Sequence, residues 1–309
     1  MRFFVSNKVI LLFIDGVGVG ENSPEYNPCY YSRTGIFNFN TNILPFNGKF
    51  YAIDAQLGVN GLPQSATGHT TLYTGINAAR LINKHLYGFP NQALRDVLKK
   101  YSIFVKLNNQ GYRCKFINAF RPVFFTTTEI FKNLHMSATT EMNRYCGLRF
   151  ADFKQIKQGS ALYHDYTNTE PREKGFNLPK FSARKAAEIL INQSDNHNLI
   201  LYEYFLTDFA GHSRIKKQAI AEIHKVENLI MSVLEIMNFD TTCLIVVSDH
   251  GNIEDLRTKS HTKNPAFLAV WGSVLQSYRY NFSSLLDVYP FVYYAITGKI
   301  PENRINYPE

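Results

Sequence analysis

Short apolar runs recur along the chain, and three of them are followed within three residues by an aspartate. The runs cover residues 8–14, 113–119, 199–205, 242–247 and 266–271. Runs of this length, rich in leucine, isoleucine, valine and aromatic residues, predict strands that are buried on both faces, as parallel strands are. We therefore expect an α/β fold with a mostly parallel sheet sandwiched by helices.

Helical patterns separate the predicted strands. The predicted helices cover residues 67–79, 183–192, 216–237 and 285–296. Residues 86–179 differ in composition from the rest of the chain, because turn residues are frequent there and the polar stretch 163–179 is typical of a linker. We expect 86–179 to be a smaller inserted α+β cap domain, and 1–85 with 180–309 to form the core domain.

The composition permits several partners. The chain has 309 residues, 45% of them hydrophobic, which is ample for a folded core. The net charge of +8 fits either a basic surface without specific meaning or an anionic partner. Because the basic residues are scattered, the pattern favours a small anionic substrate over nucleic acid. It does not indicate an oligomeric state.

Membrane insertion and disulfide bonds are not predicted. The apolar run at 9–14 is too short to span a bilayer and ends at Asp15. Cys29, Cys114, Cys146 and Cys243 are far apart and form no Cys-x-x-Cys pair, so neither a zinc knuckle nor a disulfide framework is indicated. Reduced thiols of this kind are typical of a cytoplasmic protein.

The polar residues at the strand ends are candidate metal ligands. Ligands of open α/β sheets bind beyond the carboxyl ends of the strands, where Asp15, Asp208 and the pair Asp249–His250 would lie. Asp208 and His212 are four residues apart and converge on a helical turn. Carboxylate and imidazole together suit Zn²⁺ or Mn²⁺. Each motif alone also fits a turn or capping residue, and an isolated His261 is more often a surface histidine.

Ser65 is the candidate nucleophile. It lies in Gly-Leu-Pro-Gln-Ser65-Ala-Thr-Gly-His69, where a turn leads into a predicted helix, so its hydroxyl would lie at a helix N-terminus that attracts anions. A serine there can attack phosphorus if its pKa is lowered. Thr67 and Thr70 are rival hydroxyls in the same segment. His69 either orients this loop or simply packs there.

In this order the motifs resemble the alkaline phosphatase superfamily of metalloenzymes, and most closely its branch of cofactor-independent phosphoglycerate mutases and phosphopentomutases. The resemblance covers about residues 8–83 and 199–271. The matching motifs are Asp15-Gly-Val-Gly-Val-Gly, Ser65-Ala-Thr-Gly-His69, Asp208-Phe-Ala-Gly-His212, Asp249-His250-Gly-Asn and His261-Thr-Lys-Asn-Pro.

The resemblance implies two divalent metal ions, Mn²⁺ or Zn²⁺ with Mg²⁺ as a further candidate. One ion would be held by Asp15, Ser65, Asp249 and His250, and the other by Asp208, His212 and His261. Two such ions clamp a phosphate and lower the pKa of the serine hydroxyl. The expected reaction is phosphoryl transfer through a phosphoserine at Ser65 on a small phosphorylated metabolite, by a phosphatase or a phosphomutase.

The substrate-selecting part departs from both relatives. The middle segment lacks the Asp-Gly-Arg-Asp sequence associated with phosphoglycerate mutases, and the first metal loop lacks the Pro-Asp-Ala that often follows in phosphopentomutases. Lys84, Arg144 and Arg149 are candidates for holding a second anionic group on the substrate, as are Lys154 and Lys157. A solvated basic face is the alternative for each of them.

Two other functions stay open. A binding protein could keep the ligands without turnover. A dinucleotide-dependent oxidoreductase could use the glycine loop at 16–20, although its spacing is Gly-x-Gly-x-Gly rather than Gly-x-Gly-x-x-Gly. The oxidoreductase would leave the Asp and His pairs without a role.

Overall fold

The computed structural model describes residues 7–37, 39, 43–126 and 136–301. The strands are β1 (Lys8–Ile14), β2 (Ile43–Leu44), β3 (Gly48–Ile53), β4 (Cys114–Phe116), β5 (Ala119–Phe120), β6 (Ala151–Asp152), β7 (Leu199–Tyr204), β8 (Thr242–Val247) and β9 (Ala266–Trp271). Seven of them form one sheet in the order β2-β3-β9-β8-β1-β7-β4, and β5 pairs with β6 in a second, two-stranded sheet.

Helices connect the strands and cover both faces of the large sheet. They are α1 (Ser65–Thr74), α2 (Ala78–Leu81), α3 (Gln92–Tyr101), α4 (Ile103–Asn108), α5 (Pro122–Thr126), α6 (Ala138–Tyr145), α7 (Phe153–Lys157), α8 (Thr169–Glu173), α9 (Ala183–Ser194), α10 (Leu206–Ser213), α11 (Lys216–Leu234) and α12 (Val288–Thr297). Each predicted helix is present, with ends shifted by a few residues. The first begins at Ser65 and ends at Thr74, and the left-handed backbone of Gly75 separates α1 from α2.

The two faces of β1 belong to different halves of the core. Ile10, Leu12 and Ile14 point into the cluster that contains the buried faces of α9 and α11. Val9, Leu11 and Phe13 point into the cluster that contains α1 and α12. This alternation follows from the two-residue period of a strand and explains why β1 is apolar at every position after Lys8. The predicted α/β sandwich is thus confirmed.

The direction of one strand differs from the prediction. β4, β7, β1 and β8 are parallel to one another, as expected. The run at 266–271 was expected to be parallel too, but β9 is antiparallel to β8. The chain between β8 and β9 contains no crossover helix, which a parallel return would need, so it turns back beside β8.

The predicted strand 113–119 divides into two short strands. Its first part is β4, which pairs with β7 at the edge of the large sheet, and its last residue begins β5 in the small sheet. The segment 86–179 therefore contributes β4 to the large sheet, and its helices α3 and α6 pack against α1. The division into a core domain and an inserted cap stays a prediction.

Two further observations concern membrane-spanning helices and the cysteines. Within the described ranges, every helix is too short or too polar to cross a lipid bilayer. Cys29, Cys114, Cys146 and Cys243 are all free thiols, and three of them are buried.

Candidate metal and nucleophile site

The candidate ligands meet at the carboxyl edge of the large sheet. Asp15 follows β1, Asp208 lies in the first turn of α10 after β7, and Asp249 and His250 follow β8. Because β7, β1 and β8 are neighbouring parallel strands, their ends lie side by side. Gly16 permits close approach, since a Cβ on its left-handed backbone would lie 2.5 Å from the Asp208 carboxylate.

The N-terminus of α1 carries Ser65 into this cluster. Ser65 is the first residue of α1, and its Oγ lies 3.1 Å from His250 Nε2. Gly68, one turn further along, brings α1 close to the loop after β8, because a Cβ there would lie 2.8 Å from the Cβ of Asp249. One of the backbone N–H groups of the predicted anion site at this helix end is already bonded, since the Ala66 N–H donates to the Leu86 carbonyl.

The rival hydroxyls in α1 are engaged elsewhere. Thr67 Oγ1 donates to the Gln64 carbonyl at 3.0 Å, and Thr70 Oγ1 donates to the Ala66 carbonyl at 2.7 Å. Both are bonded to the backbone of their own segment, whereas the Ser65 hydroxyl faces the cluster. The structure therefore favours Ser65 over both threonines.

The first predicted ligand group converges on His250. Its Nε2 lies 3.4 Å from Asp15 Oδ1 and 3.3 Å from Asp249 Oδ2. Asp249 and His250 are completely buried, and Asp15 nearly so. Asp15 Oδ1 and both carboxylate oxygens of Asp249 have no hydrogen-bond partner, which is costly for buried charged oxygens.

The second predicted ligand group converges on Asp208. His212 Nε2 lies 3.2 Å from Asp208 Oδ2, and His261 Nε2 lies 3.7 Å from Asp208 Oδ1. One ligand atom from each of the three residues lies within 4.8 Å of the others. The same holds for Asp15, Asp208 and His250, so the two groups adjoin. All seven predicted ligands thus meet at one place, and their role as ligands stays a prediction.

Backbone carbonyls fix the orientation of two histidines. Nδ1 of His212 donates to the Lys259 carbonyl at 2.7 Å, and Nδ1 of His261 donates to the Pro63 carbonyl at 2.8 Å. A carbonyl can only accept, so the proton sits on Nδ1 of each ring. In the neutral form this leaves a lone pair on Nε2, facing Asp208, as in most histidine–metal sites.

The electrostatics of the cluster fit a divalent cation. Burial, reinforced by Asp249 and Asp208, raises the pKa of Asp15 well above its usual value. Burial also lowers the pKa of His250 to about 4, which keeps this imidazole neutral at pH 7. The imidazole nitrogens and the buried carboxylate oxygens without partners form a mixed nitrogen and oxygen donor set, which Mn²⁺ and Zn²⁺ accept.

Glu203 is a charged residue of the site that sequence reasoning missed. It lies near the end of β7, is 7% exposed, and accepts a hydrogen bond from Thr139 Oγ1 at 2.9 Å. Its Oε1 is 3.8 Å from His69 Nδ1, while His69 Nε2 is 3.2 Å from Asp249 Oδ2. His69 thus lies between two carboxylates. The available signal was a glutamate inside an otherwise apolar predicted strand.

The carboxylates around His69 also affect the pKa of its ring. Burial lowers the pKa of His69, but Asp249 and Glu203 outweigh this effect, so that the net shift of its pKa is upward. The supporting role predicted for His69 stays a prediction. The contact with Asp249 supports it, because Asp249 is also a candidate ligand.

Asn252 and Glu254 tie the ligand loops together and were also missed. Asn252 Nδ2 donates to Asp208 Oδ1 at 2.6 Å. The fully buried Glu254 accepts hydrogen bonds from the backbone N–H groups of Gly18 and Asn252, and from the Thr262 hydroxyl. It therefore joins the loop after β1 to the connection between β8 and β9, both near Asn252 and near His261. The signal was their position just after Asp-His-Gly.

The predicted substrate residues do not line the cavity beside Ser65. A cavity of about 490 Å³ opens beside Asp15, Ser65 and Asp208. The described residues that line it do not include Lys84, Arg144 or Arg149. Lys84 and Arg149 are exposed, and Arg144 is paired with Glu141 at 2.6 Å. Lys154 and Lys157 are exposed as well and do not line the cavity. Substrate binding by these residues stays a prediction that no distance supports.

Parts of this chain are similar in sequence to known phosphoglycerate mutases. Over 112 residues the chain is 27% identical to the 2,3-bisphosphoglycerate-independent phosphoglycerate mutase of Moorella thermoacetica, which covers 35% of this chain and 21% of that protein. The enzyme of the same name from Desulforudis audaxviator is 26% identical over 120 residues, which covers 37% of this chain and 24% of that protein. The chain thus matches about a quarter of the length of these relatives or less.

Solved structures share the fold at low sequence identity. Alkaline phosphatase from the Antarctic bacterium TAB5 superimposes with a TM-score of 0.51 at 14% identity, covering 95% of this chain and 99% of that one. Leishmania mexicana phosphoglycerate mutase superimposes with a TM-score of 0.52 at 11% identity, covering 97% and 96%. The fold is therefore alkaline phosphatase-like. A sequence profile of the Metalloenzyme superfamily matches residues 7–288, so the chain belongs to the Metalloenzyme superfamily.

Proposed function

We propose that this protein transfers a phosphoryl group from a phosphate ester to Ser65 with the help of divalent metal ions. The observation that carries the proposal is the place of the Ser65 hydroxyl, 3.1 Å from His250 and beside buried carboxylates whose oxygens lack partners. The phosphoglycerate mutases matched in sequence support a phosphate ester as the substrate.

The chain would provide two neighbouring ligand groups. Asp15, Asp249, His250 and Ser65 would hold one ion, and Asp208, His212 and His261 the other. When bound, divalent ions would supply the positive charge that lowers the pKa of the Ser65 hydroxyl and offsets charge on the phosphate. The backbone bonds from His212 and His261 keep the ligand rings in place before substrate arrives.

The chemical step exchanges one ester for another. The oxygen of Ser65 forms a bond to phosphorus, and the bond from phosphorus to the substrate oxygen breaks. The proton of Ser65 ends on the released alcohol. Water then cleaves the phosphoserine in a phosphatase, whereas a substrate hydroxyl takes the phosphoryl group back in a mutase. The two reactions share their first half and differ only in the acceptor.

Replacement of Ser65 tests the proposal. We expect Ser65→Ala to lower turnover of p-nitrophenyl phosphate with Mn²⁺ or Zn²⁺ by about a thousandfold or more, because the neighbouring threonine hydroxyls bond to the backbone instead. Thr70→Val is the matched control, since it removes a buried hydroxyl of the same helix that bonds only to the backbone. Acid quenching of the wild type should trap phosphate on the peptide that contains Ser65. Full activity of Ser65→Ala would disprove the mechanism.

A further inference from the structure

The wall of the cavity beside Ser65 is strongly aromatic. Its volume of about 490 Å³ lies in the range of small-molecule sites and leaves room for more than a phosphate group. Asp15, Ser65 and Asp208 line one part of it. The aromatic residues that line the rest are Tyr87, Phe89, Phe116, Phe120, Phe124, Tyr163, Phe205 and Phe209.

These rings form continuous packed surfaces. Phe120 and Phe124 stack with ring centroids 4.2 Å apart. On another part of the wall, His164 packs on Phe205 at 4.3 Å, and Phe205 meets Phe209 edge to face at 5.4 Å. Such surfaces offer flat apolar contact to a bound molecule.

Some of the rings remain open to solvent. Tyr87 is 72% exposed, Phe209 60% and Phe89 47%. Large apolar side chains that are exposed together beside a reactive group mark a binding surface, because their contact with water costs free energy.

Among the described residues that line the cavity, positive charge for a second anionic group is scarce. Arg121 is the only lysine or arginine among its described lining residues. Its guanidinium donates to Tyr163 Oη at 2.7 Å and pairs with Glu170. His164 also lines the cavity, but burial lowers its pKa to about 4, so the ring is neutral at pH 7. Against the described lining residues, a carboxylate or second phosphate on the substrate would lose water and meet only a guanidinium that is already paired.

We propose that the substrate is a phosphate ester of an apolar, uncharged alcohol, whose ring or alkyl chain packs on this aromatic wall. The inference rests on the proposed transfer to Ser65 and names the substrate class of that reaction. It differs from the small metabolite with a second anionic group that the basic residues suggested. The phosphate group of the substrate lies beside Asp15, Ser65 and Asp208, and its organic group contacts the aromatic wall.

Binding of non-hydrolysable phosphonates tests the inference without requiring turnover. In calorimetry with Mn²⁺, we expect 4-phenylbutylphosphonate and octylphosphonate to bind at least about tenfold more tightly than phosphonoacetate, which has a second anionic group. A preference between the first two would distinguish a ring from an alkyl chain. Equal or tighter binding of phosphonoacetate would overturn the inference.

Turnover provides the second readout. Esters of 3-phenylpropanol and octanol should have a higher kcat/KM than glycerol 3-phosphate and 3-phosphoglycerate, and all four release alkyl alcohols, which limits differences in intrinsic reactivity. Turnover without this preference would overturn the inference and leave the transfer to Ser65 intact. Tight binding of the apolar phosphonates without turnover of any ester would overturn the transfer and leave the apolar site intact.

A pair of exposed aromatic residues provides matched variants. Phe209→Ser should lower kcat/KM for 3-phenylpropyl phosphate by about tenfold, because one wall of the apolar contact is lost. The loss of kcat/KM for methyl phosphate in the same variant should be smaller by about that factor, since this ester has almost no organic part. Tyr280→Ser removes a ring that is 61% exposed and does not line the cavity, and it should change neither value. Equal losses for both esters in Phe209→Ser would contradict the role of the ring.

Discussion

At the scale of single residues, hydrogen-bond partners separate reactive groups from structural ones. Ser65, Thr67 and Thr70 carry the same functional group within one turn and a half of helix. Only the Ser65 hydroxyl faces the cluster, since the two threonines donate to backbone carbonyls. The sequence motif favoured Ser65 by position alone. The structure adds the physical reason, which is that the other two hydroxyls are already satisfied.

Glu203 provides a test of positioning at this scale. We expect Glu203→Gln to lower kcat about tenfold with little change in KM, because His69 would lose one of the two carboxylates that hold it and shift relative to Asp249. Steady-state kinetics on a phosphate ester would measure kcat and KM separately. Glu188→Gln, on the exposed side of α9, is the control and should behave as the wild type. An unchanged kcat in Glu203→Gln would show that Glu203 does not position the site.

At the scale of elements, the site depends on how closely α1 approaches the end of β8. Gly68 lies where a Cβ would come within 2.8 Å of Asp249 Cβ. The glycine in Ser-x-x-Gly-His is therefore required for packing between a helix and a ligand loop. Asp249 is fully buried, so it has little freedom to move away.

Gly68→Ala should damage the site and the fold together. We expect about 1–3 kcal/mol of destabilisation from overpacking and a loss of turnover of at least about tenfold, because Asp249 must shift. Urea unfolding and kinetics would measure the two effects. Gly58→Ala is the control: its left-handed backbone should cost about 1 kcal/mol, but the added Cβ meets nothing within 4 Å. Activity of Gly68→Ala equal to that of Gly58→Ala would contradict the packing argument.

At the scale of the whole molecule, ligand residues from distant parts of the chain share one buried cluster. Asp15, Asp208 and Asp249 are all buried at the sheet edge. Burial and the charges of Asp249 and Asp208 raise the pKa of Asp15, so its ionised form opposes folding, and a divalent cation that binds only the folded protein would offset this cost.

Metal should therefore stabilise the folded protein. At a hundred times its Kd, Mn²⁺ should raise the free energy of unfolding of chelator-treated protein by about 2.7 kcal/mol, as measured by urea denaturation. Asp249→Asn should lose most of this gain, because it removes a carboxylate of the first ligand group. An equal gain in the variant would place the metal elsewhere.

His164 should make the stability of the whole fold depend on pH. Burial lowers its pKa in the folded protein to about 4, below the value of about 6.5 in an unfolded chain. The unfolded state therefore takes up the proton first, and stability should fall as pH decreases from about 6.5 to about 4, by at most roughly 3 kcal/mol. Denaturation of wild type and His164→Gln across this range would measure it. Identical pH dependence in both would contradict the assignment.

Local sequence patterns were sufficient to predict the layers of the fold and which polar residues lie together beyond the strand ends. Strands buried on both faces are predominantly apolar, and the carboxyl ends of neighbouring parallel strands lie side by side. Asp15, Asp208, Asp249 and His250 could therefore be assigned to one sheet edge from their positions in the chain. Helical periodicity likewise located α9, α11 and α12.

Contacts between distant segments account for the features that local patterns do not encode. The direction of β9 follows from the absence of a crossover helix, and the partition of 113–119 follows from which strand each part can pair with. Glu203 and Glu254 joined the site only through contacts with residues far away in the chain. The aromatic wall beside Ser65 likewise assembles rings from separate segments, because burial and proximity depend on how the whole chain packs.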